Sequence, residues 1–182
     1  MNTIVKRWIE RQTDVGQVAV LTTELGVMPL TARVLANRGL STPMSARDFL
    51  HAKLNSLPDP DLLPDMEVAV SRLEEALVKG ERIAVQGDYD VDGITGTALL
   101  VESLRAFGGE VEYHIPSRLT EGYGLSGEAI NRAAQSGCSL VLSVDCGVSA
   151  VVEADLVNEL GLDLIVTDHH QPPEKLPACL AL

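Results

Sequence analysis

The 182-residue chain is 46% apolar but only 3% aromatic, so its core must be aliphatic, and its length suits one ordinary domain with a small N-terminal appendage. The net charge of −12 is uneven: residues 1–80 carry nine Lys and Arg against ten Asp and Glu, whereas residues 81–182 carry five against sixteen. That half is a poor stand-alone grip on nucleic acid, which needs Lys and Arg to displace phosphate counterions, although bound divalent cations would reverse its local field, so a phosphate substrate is not excluded.

Residues 1–14 mix Lys6, Arg7, Glu10 and Arg11 among apolar positions, which is not a signal-peptide pattern. Helices are expected at 30–37, 45–50 and 66–79, with the Pro58-Asp59-Pro60 loop between the last two. Residues 1–64 are taken as a helical lead-in that packs on a sheet, and residues 65–182 as the main domain. From residue 82 the pattern alternates. The apolar runs 83–86, 111–115, 140–144, 164–167 and 178–182 read as short buried strands. Between them lie helical stretches near 94–107, 126–135 and 149–160. In the first, Ile94, Ala98, Val101, Leu104 and Phe107 form an apolar stripe stopped by Gly108-Gly109; Ser126 is a plausible cap for the second. This alternation predicts an α/β fold, a parallel sheet of about five strands with helices on both faces and ligands at the carboxyl ends of the strands.

No apolar run approaches the roughly 18 residues of a membrane span, and no membrane association is expected. Three cysteines (Cys138, Cys146, Cys179) at unrelated spacings fit reduced thiols in a cytoplasm. The run Ala178–Leu182 has no turn, cap or polar tail behind it, and reads as a cut inside a buried strand.

Three strand ends carry chemistry. Gln86-Gly87-Asp88-Tyr89-Asp90-Val91-Asp92-Gly93 sets three acids at alternate positions after an apolar strand, an expensive arrangement unless a cation satisfies them. A solvated turn or a helix-capping cluster is the bland alternative. A calcium loop is the sharper one, but its twelfth position is Leu99 rather than Glu and a strand precedes it. Next, Asp145 ends the run 140–144; an Asp there serves equally as a cap or as a ligand, and Cys146 beside it reads as a small packed residue. Finally Asp168-His169-His170 closes the run 164–167. Asp beside His suits an orienting carboxylate, and adjacent residues usually point apart, so one histidine is expected at a metal and the other toward substrate. If the strands run parallel, five acids and two histidines share one rim. Such a set suits Mn²⁺ or Mg²⁺ rather than structural zinc, and two such ions can activate water against a phosphodiester.

The ordered trio Gly-Asp-Tyr-Asp-Val-Asp-Gly-Ile-Thr-Gly-Thr, Val-Asp-Cys-Gly and Thr-Asp-His-His resembles the DHH phosphoesterase superfamily, over about residues 65–182. The first motif, and Ile115-Pro116-Ser117-Arg118 followed by Glu121-Gly122-Tyr123-Gly124-Leu125, are similar to its RecJ branch, the 5′-to-3′ single-strand DNA exonucleases of repair and recombination. The resemblance implies that Asp90, Asp92, Asp145 and His169 are metal ligands, with Asp145 bridging two ions. It makes Asp88 and Asp168 supporting acids and His170 a catalytic group near the scissile phosphate. Arg118, otherwise a solvated loop residue, becomes a candidate clamp for a terminal 5′-phosphate. Some relatives have His where this chain has Gln86, so one metal position should be weaker here. A further ligand Asp, a second domain closing the cleft and an oligonucleotide-binding fold would lie past Leu182, leaving residues 1–182 inactive alone. The implied substrate is single-stranded DNA, with a single-strand-binding protein or helicase as partners and no oligomer expected. A small-substrate phosphatase of the same superfamily and a non-enzymatic DNA-binding scaffold are the alternatives. The Tyr and the Gly-Ile-Thr-Gly of the first motif argue against the former, and retention of every motif acid argues against the latter.

Overall fold

The computed structural model describes residue 9 and residues 11–182, and the chain divides into two compact units, Met1–Pro58 and Asp59–Leu182. Lys6, Arg7 and Glu10, which carry the argument against a signal peptide, lie outside the described residues.

The first unit is helical: α1 (Val15–Leu25), α2 (Pro29–Asn37) and α3 (Pro43–Leu50). The sequence reading found the second and third but not α1, whose valines, threonines and Gly16 are weak helix formers. Two things compensate. Asp14 caps it, its Oδ1 accepting from Gly16 N (2.7 Å) and Gln17 N (3.2 Å). Leu21 is fully buried in a small core with Ala32, Leu35 and Ala46.

The second unit opens with α4 (Met66–Lys79), which matches its expected span. Four strands follow, alternating with helices: β1 (Arg82–Gln86), α5 (Val91–Ala106), β2 (Glu110–His114), α6 (Gly127–Gln135), β3 (Cys138–Val144), α7 (Val151–Glu159) and β4 (Asp163–Thr167). All strand pairs are parallel, in the order β2-β1-β3-β4. Side chains alternate between the faces, so β1, β3 and β4 each feed two cores, while edge strand β2 adds only Val111 to one of them. Ala84, Val141, Leu164 and Val166 pack with Ile130 and Ala133 of α6 and Ala154 and Val157 of α7. Ile83, Val85, Leu140, Leu142 and Ile165 pack with Ala76 of α4 and Val101 and Leu104 of α5. Helices thus cover both faces, as the strand–helix alternation requires.

The expected fifth strand is reduced to one parallel bridge, Ile165 to Ala181. Leu180 N donates to Leu164 O and Val166 N to Ala181 O, but Cys179 N is spent locally on Pro177 O, so the ladder does not extend back along the run. The stripe expected on α5 is also displaced. Gly93, Thr97, Val101 and Leu104 are buried there, while Ile94 and Phe107 are 49% and 77% exposed. Small residues are selected because the helix start packs tightly: a Cβ on Gly93 would lie 2.4 Å from Asp88 O in the turn after β1, and one on Gly96 2.6 Å from Val144 of β3. Among the described residues no single helix is long and apolar enough to cross a membrane.

Candidate metal centre

β2 lies on one side of β1 and β3 on the other, so the chain reverses its direction of travel across the sheet between the two central strands. Such a reversal, at the carboxyl ends of the strands, is where parallel sheets hold ligands. The segments that meet there are residues 87–90 after β1 and 145–148 after β3.

Asp88 is 1% exposed, and its Oδ1 is buried without a hydrogen-bond partner. Asp90 caps α5, its Oδ1 accepting from Asp92 N (2.9 Å) and Gly93 N (3.2 Å), and the Gly93 bond foremost holds its carboxyl below the usual range. Capping and a site role are therefore compatible here, because the cap uses only one of its two oxygens. Asp145 is 8% exposed and also has a buried, unpartnered Oδ1. His169 Nε2 lies 3.0 Å from that oxygen, without the alignment of a hydrogen bond. Burial first, and then the neighbouring Asp90, push the Asp145 carboxyl above its ordinary value. Ligand atoms of Asp88, Asp90 and Asp145 all fall within 4.8 Å of one another, as do those of Asp145, His169 and His170. Asp145 belongs to both groups.

Asp168 has the opposite character. Its Oδ2 accepts from Val148 N (2.9 Å), and its Oδ1 accepts from His169 N (2.7 Å), His170 N (3.1 Å) and the His170 ring Nδ1 (2.7 Å). Burial disfavours its charge, but these donors outweigh that and keep the carboxyl below the usual range. The same contact raises His170 above an ordinary imidazole and commits its Nδ1 to Asp168, leaving Nε2, 3.4 Å from the Tyr123 hydroxyl, as the nitrogen not bound to a carboxylate.

The structure gathers Asp88, Asp90, Asp145, His169 and His170, and ties Asp168 to His170. It does not bring Asp92 into either group: that residue sits in the first turn of α5, exposed, where its charge suits the helix dipole. The expected divergence of the two histidines is corrected. Their ring centroids are 4.7 Å apart, because both backbone N–H groups turn in to Asp168 instead of continuing the strand. Gln86, at the end of β1, is 2% exposed, and neither amide atom has a hydrogen-bond partner. Cys146 is fully buried and pushed up to about 12, mainly by burial, which suits packing rather than nucleophilic chemistry.

The loop 115–125 borders the site. Arg118 lies over the Tyr89 ring, 5.5 Å from its centroid. Tyr123 donates its hydroxyl to Asp145 O (3.0 Å) and lies 3.1 Å from His170 Nδ1. Burial first, and then the surrounding acids, push its phenol well up, so it remains a donor. Its place in the site was missed from the sequence, although two of only three tyrosines in the chain follow strand ends, and that was a usable signal.

Asp88 Oδ1, buried with no hydrogen-bond partner, and Asp145 Oδ1, which faces only His169 Nε2 at 3.0 Å, fit a divalent cation, which would relieve buried charge that otherwise calls for a proton. A hard-oxygen set with imidazole at its edge suits Mn²⁺ or Mg²⁺.

Residues 82–182 match the family described as DHH family, N-terminal domain. The chain is 40% identical over 176 residues to the single-stranded-DNA-specific exonuclease RecJ of Bacillus subtilis, covering 97% of this chain and 22% of that protein. It is 39% identical over 173 residues to the RecJ of Escherichia coli, covering 94% of this chain and 29% of that one. Among solved structures, exonuclease RecJ bound to manganese superposes with a TM-score of 0.62 at 44% identity, over 68% of this chain and 32% of the other. RecJ of Thermus thermophilus in complex with Mn²⁺ gives 0.63 at 35% identity, over 92% and 23%. The chain therefore spans less than a third of the length of these relatives.

Proposed function

We propose, for a chain that belongs to the DHH family, that it supplies the cation-holding part of a phosphodiester hydrolase acting on single-stranded DNA with Mn²⁺ or Mg²⁺. The observation that carries this is the convergence with Asp90 of two buried carboxylate oxygens, Asp88 Oδ1 with no hydrogen-bond partner and Asp145 Oδ1 facing only His169 Nε2. Asp88, Asp90, Asp145 and His169 would hold the cations, Asp145 serving both groups. The orphaned oxygen favours Asp88 as a ligand over a supporting acid, and the exposure of Asp92 favours a helix-end role for it. Bound cations would supply a water of lowered pKa and positive charge against the phosphodiester.

The chain's own side chains do the rest. Asp168 fixes the His170 ring through Nδ1, so that Nε2 can carry a proton toward a phosphate or leaving oxygen. Arg118, steadied on Tyr89, is suited to clamp a terminal 5′-phosphate. Digestion from the 5′ end, a role in DNA repair and recombination, a cytoplasmic location, a helicase or single-strand-binding partner and a second domain that closes the cleft complete the reading. The likeness to RecJ proteins supports them.

The test is calorimetric titration of Mn²⁺ into the wild-type chain and into Asp145→Ala. Affinity should drop by at least about tenfold in the variant, the scale of losing a group that serves the metal site. Equal affinity would remove the assignment. In parallel, the chain should melt cooperatively yet release far less nucleotide from labelled single-stranded DNA than the Bacillus subtilis RecJ does. Comparable rates would show that no closing domain is needed.

A further inference from the structure

Asp145 is shared by both ligand groups, and at φ 60° it is one of two non-glycine residues with positive φ among the described residues. That conformation is disfavoured for any residue bearing a Cβ, and it persists only where neighbours over-determine it. Two hydrogen bonds hold the backbone here. Asp145 N donates to Thr167 O at 2.9 Å, extending the β3–β4 pairing by one residue, and the Tyr123 hydroxyl donates to Asp145 O at 3.0 Å.

We infer that Tyr123 is a positioning residue: its hydroxyl keeps Asp145 in the left-handed turn and thereby aims the Asp145 carboxylate into the acidic cluster. The consequence for metal binding rests on the proposed function; the backbone restraint does not.

The loop that delivers Tyr123 is built to hold it still. Ser117 O accepts from the N–H groups of Thr120, Glu121 and Gly122. The Glu121 carboxylate closes the other way, accepting from Ser117 N at 2.9 Å and meeting His114 Nε2 at 2.8 Å, which anchors the loop to the end of β2. The Tyr123 ring then packs edge-on against Tyr89 at 6.3 Å and His170 at 5.7 Å. The ring packing does not need the hydroxyl, so Tyr123→Phe keeps it while removing the bond to Asp145 O together with the hydroxyl's 3.1 Å contact to His170 Nδ1; exchange at the Asp145 amide is the readout specific to the first. The loop thereby couples the end of β2 to the end of β3, strands that are not neighbours in the sheet.

The experiment compares the full chain with Tyr123→Phe and, as control, Tyr113→Phe, an exposed position on edge strand β2. Without metal, amide hydrogen exchange at Asp145 should accelerate at least about tenfold in Tyr123→Phe, while Val85 and Leu142 in the core strands keep their rates. Mn²⁺ affinity should fall about tenfold in the same variant and stay unchanged in the control. Unchanged exchange at Asp145 would overturn the inference whatever the metal does. Faster exchange with undiminished Mn²⁺ affinity would overturn it too, because the restraint would not then aim the carboxylate. A wild-type chain that binds no Mn²⁺ would count against the metal centre instead, and exchange at Asp145 alone would decide for or against Tyr123.

Discussion

The turns after β1 and β4 each cover an aspartate side chain, and they treat it in opposite ways. Asp88, after β1, leaves a buried oxygen with no donor, whereas Asp168, after β4, receives four hydrogen bonds from three residues. A satisfied buried carboxylate rigidifies its surroundings; an unsatisfied one is a standing cost that only a cation or a proton relieves. The difference separates an acid suited to bind something from an acid suited to hold the protein in shape.

Substituting each acid by its neutral isostere should give opposite signs. Asp88→Asn should cost Mn²⁺ affinity on the order of a hundredfold by calorimetry, yet raise the metal-free stability by roughly 1–3 kcal/mol as the uncompensated charge disappears. Asp168→Asn should lower metal-free stability by about 2–3 kcal/mol in denaturant melts, since the new amide group faces N–H donors, with a smaller loss of Mn²⁺ affinity. Two variants changing stability in the same direction would break the comparison.

Acid pH sharpens it further. The folded-state pKa of Asp168 is depressed below its ordinary 3.8, so its contribution is present above that value and is lost as pH falls through the depressed one. Metal-free melts should therefore show a drop in stability below about pH 4, and that drop should be shallower in Asp168→Asn. The smallest effect is expected at the margin of the site. Tyr89→Leu, which withdraws the ring beneath Arg118, should change stability by less than about 1 kcal/mol. Where a longer protein containing this chain prefers 5′-phosphorylated over 5′-hydroxyl ends, Arg118→Ala should erase the preference, measured as a ratio of digestion rates; an intact ratio would leave Arg118 a loop residue.

Much of this was legible in the sequence, because central strands of a parallel sheet are apolar on both faces and announce themselves as runs such as Leu140-Val141-Leu142. The acids were legible for the complementary reason, since charge directly after such a run needs explaining. What escaped was whatever depends on close approach. The buried face of α5 was misjudged because hydrophobicity points to Ile94 and Phe107, whereas close contact with the turn after β1 selects Gly93 and Thr97. The separation between Asp88 and Asp168 was invisible, because both are aspartates after strands and only the direction of nearby N–H groups distinguishes them. Tyr123 acts on a backbone carbonyl 22 residues away, and no spacing rule reaches that far.

The strand order also bears on how the chain is made. β1 is the first strand to leave the ribosome, yet it ends up inside the sheet, flanked by strands that begin at residues 110 and 138. Until β3 is complete, the run Ile83-Ala84-Val85 has at least one open edge, and its Ala84 face still lacks α7, a condition in which a nascent chain can pair with a copy of itself. The acids at 88, 90 and 92 follow that run immediately, and their mutual repulsion resists stacking of like segments. The charge that is costly in the finished site is thus also placed where it would guard β1 while the sheet is incomplete.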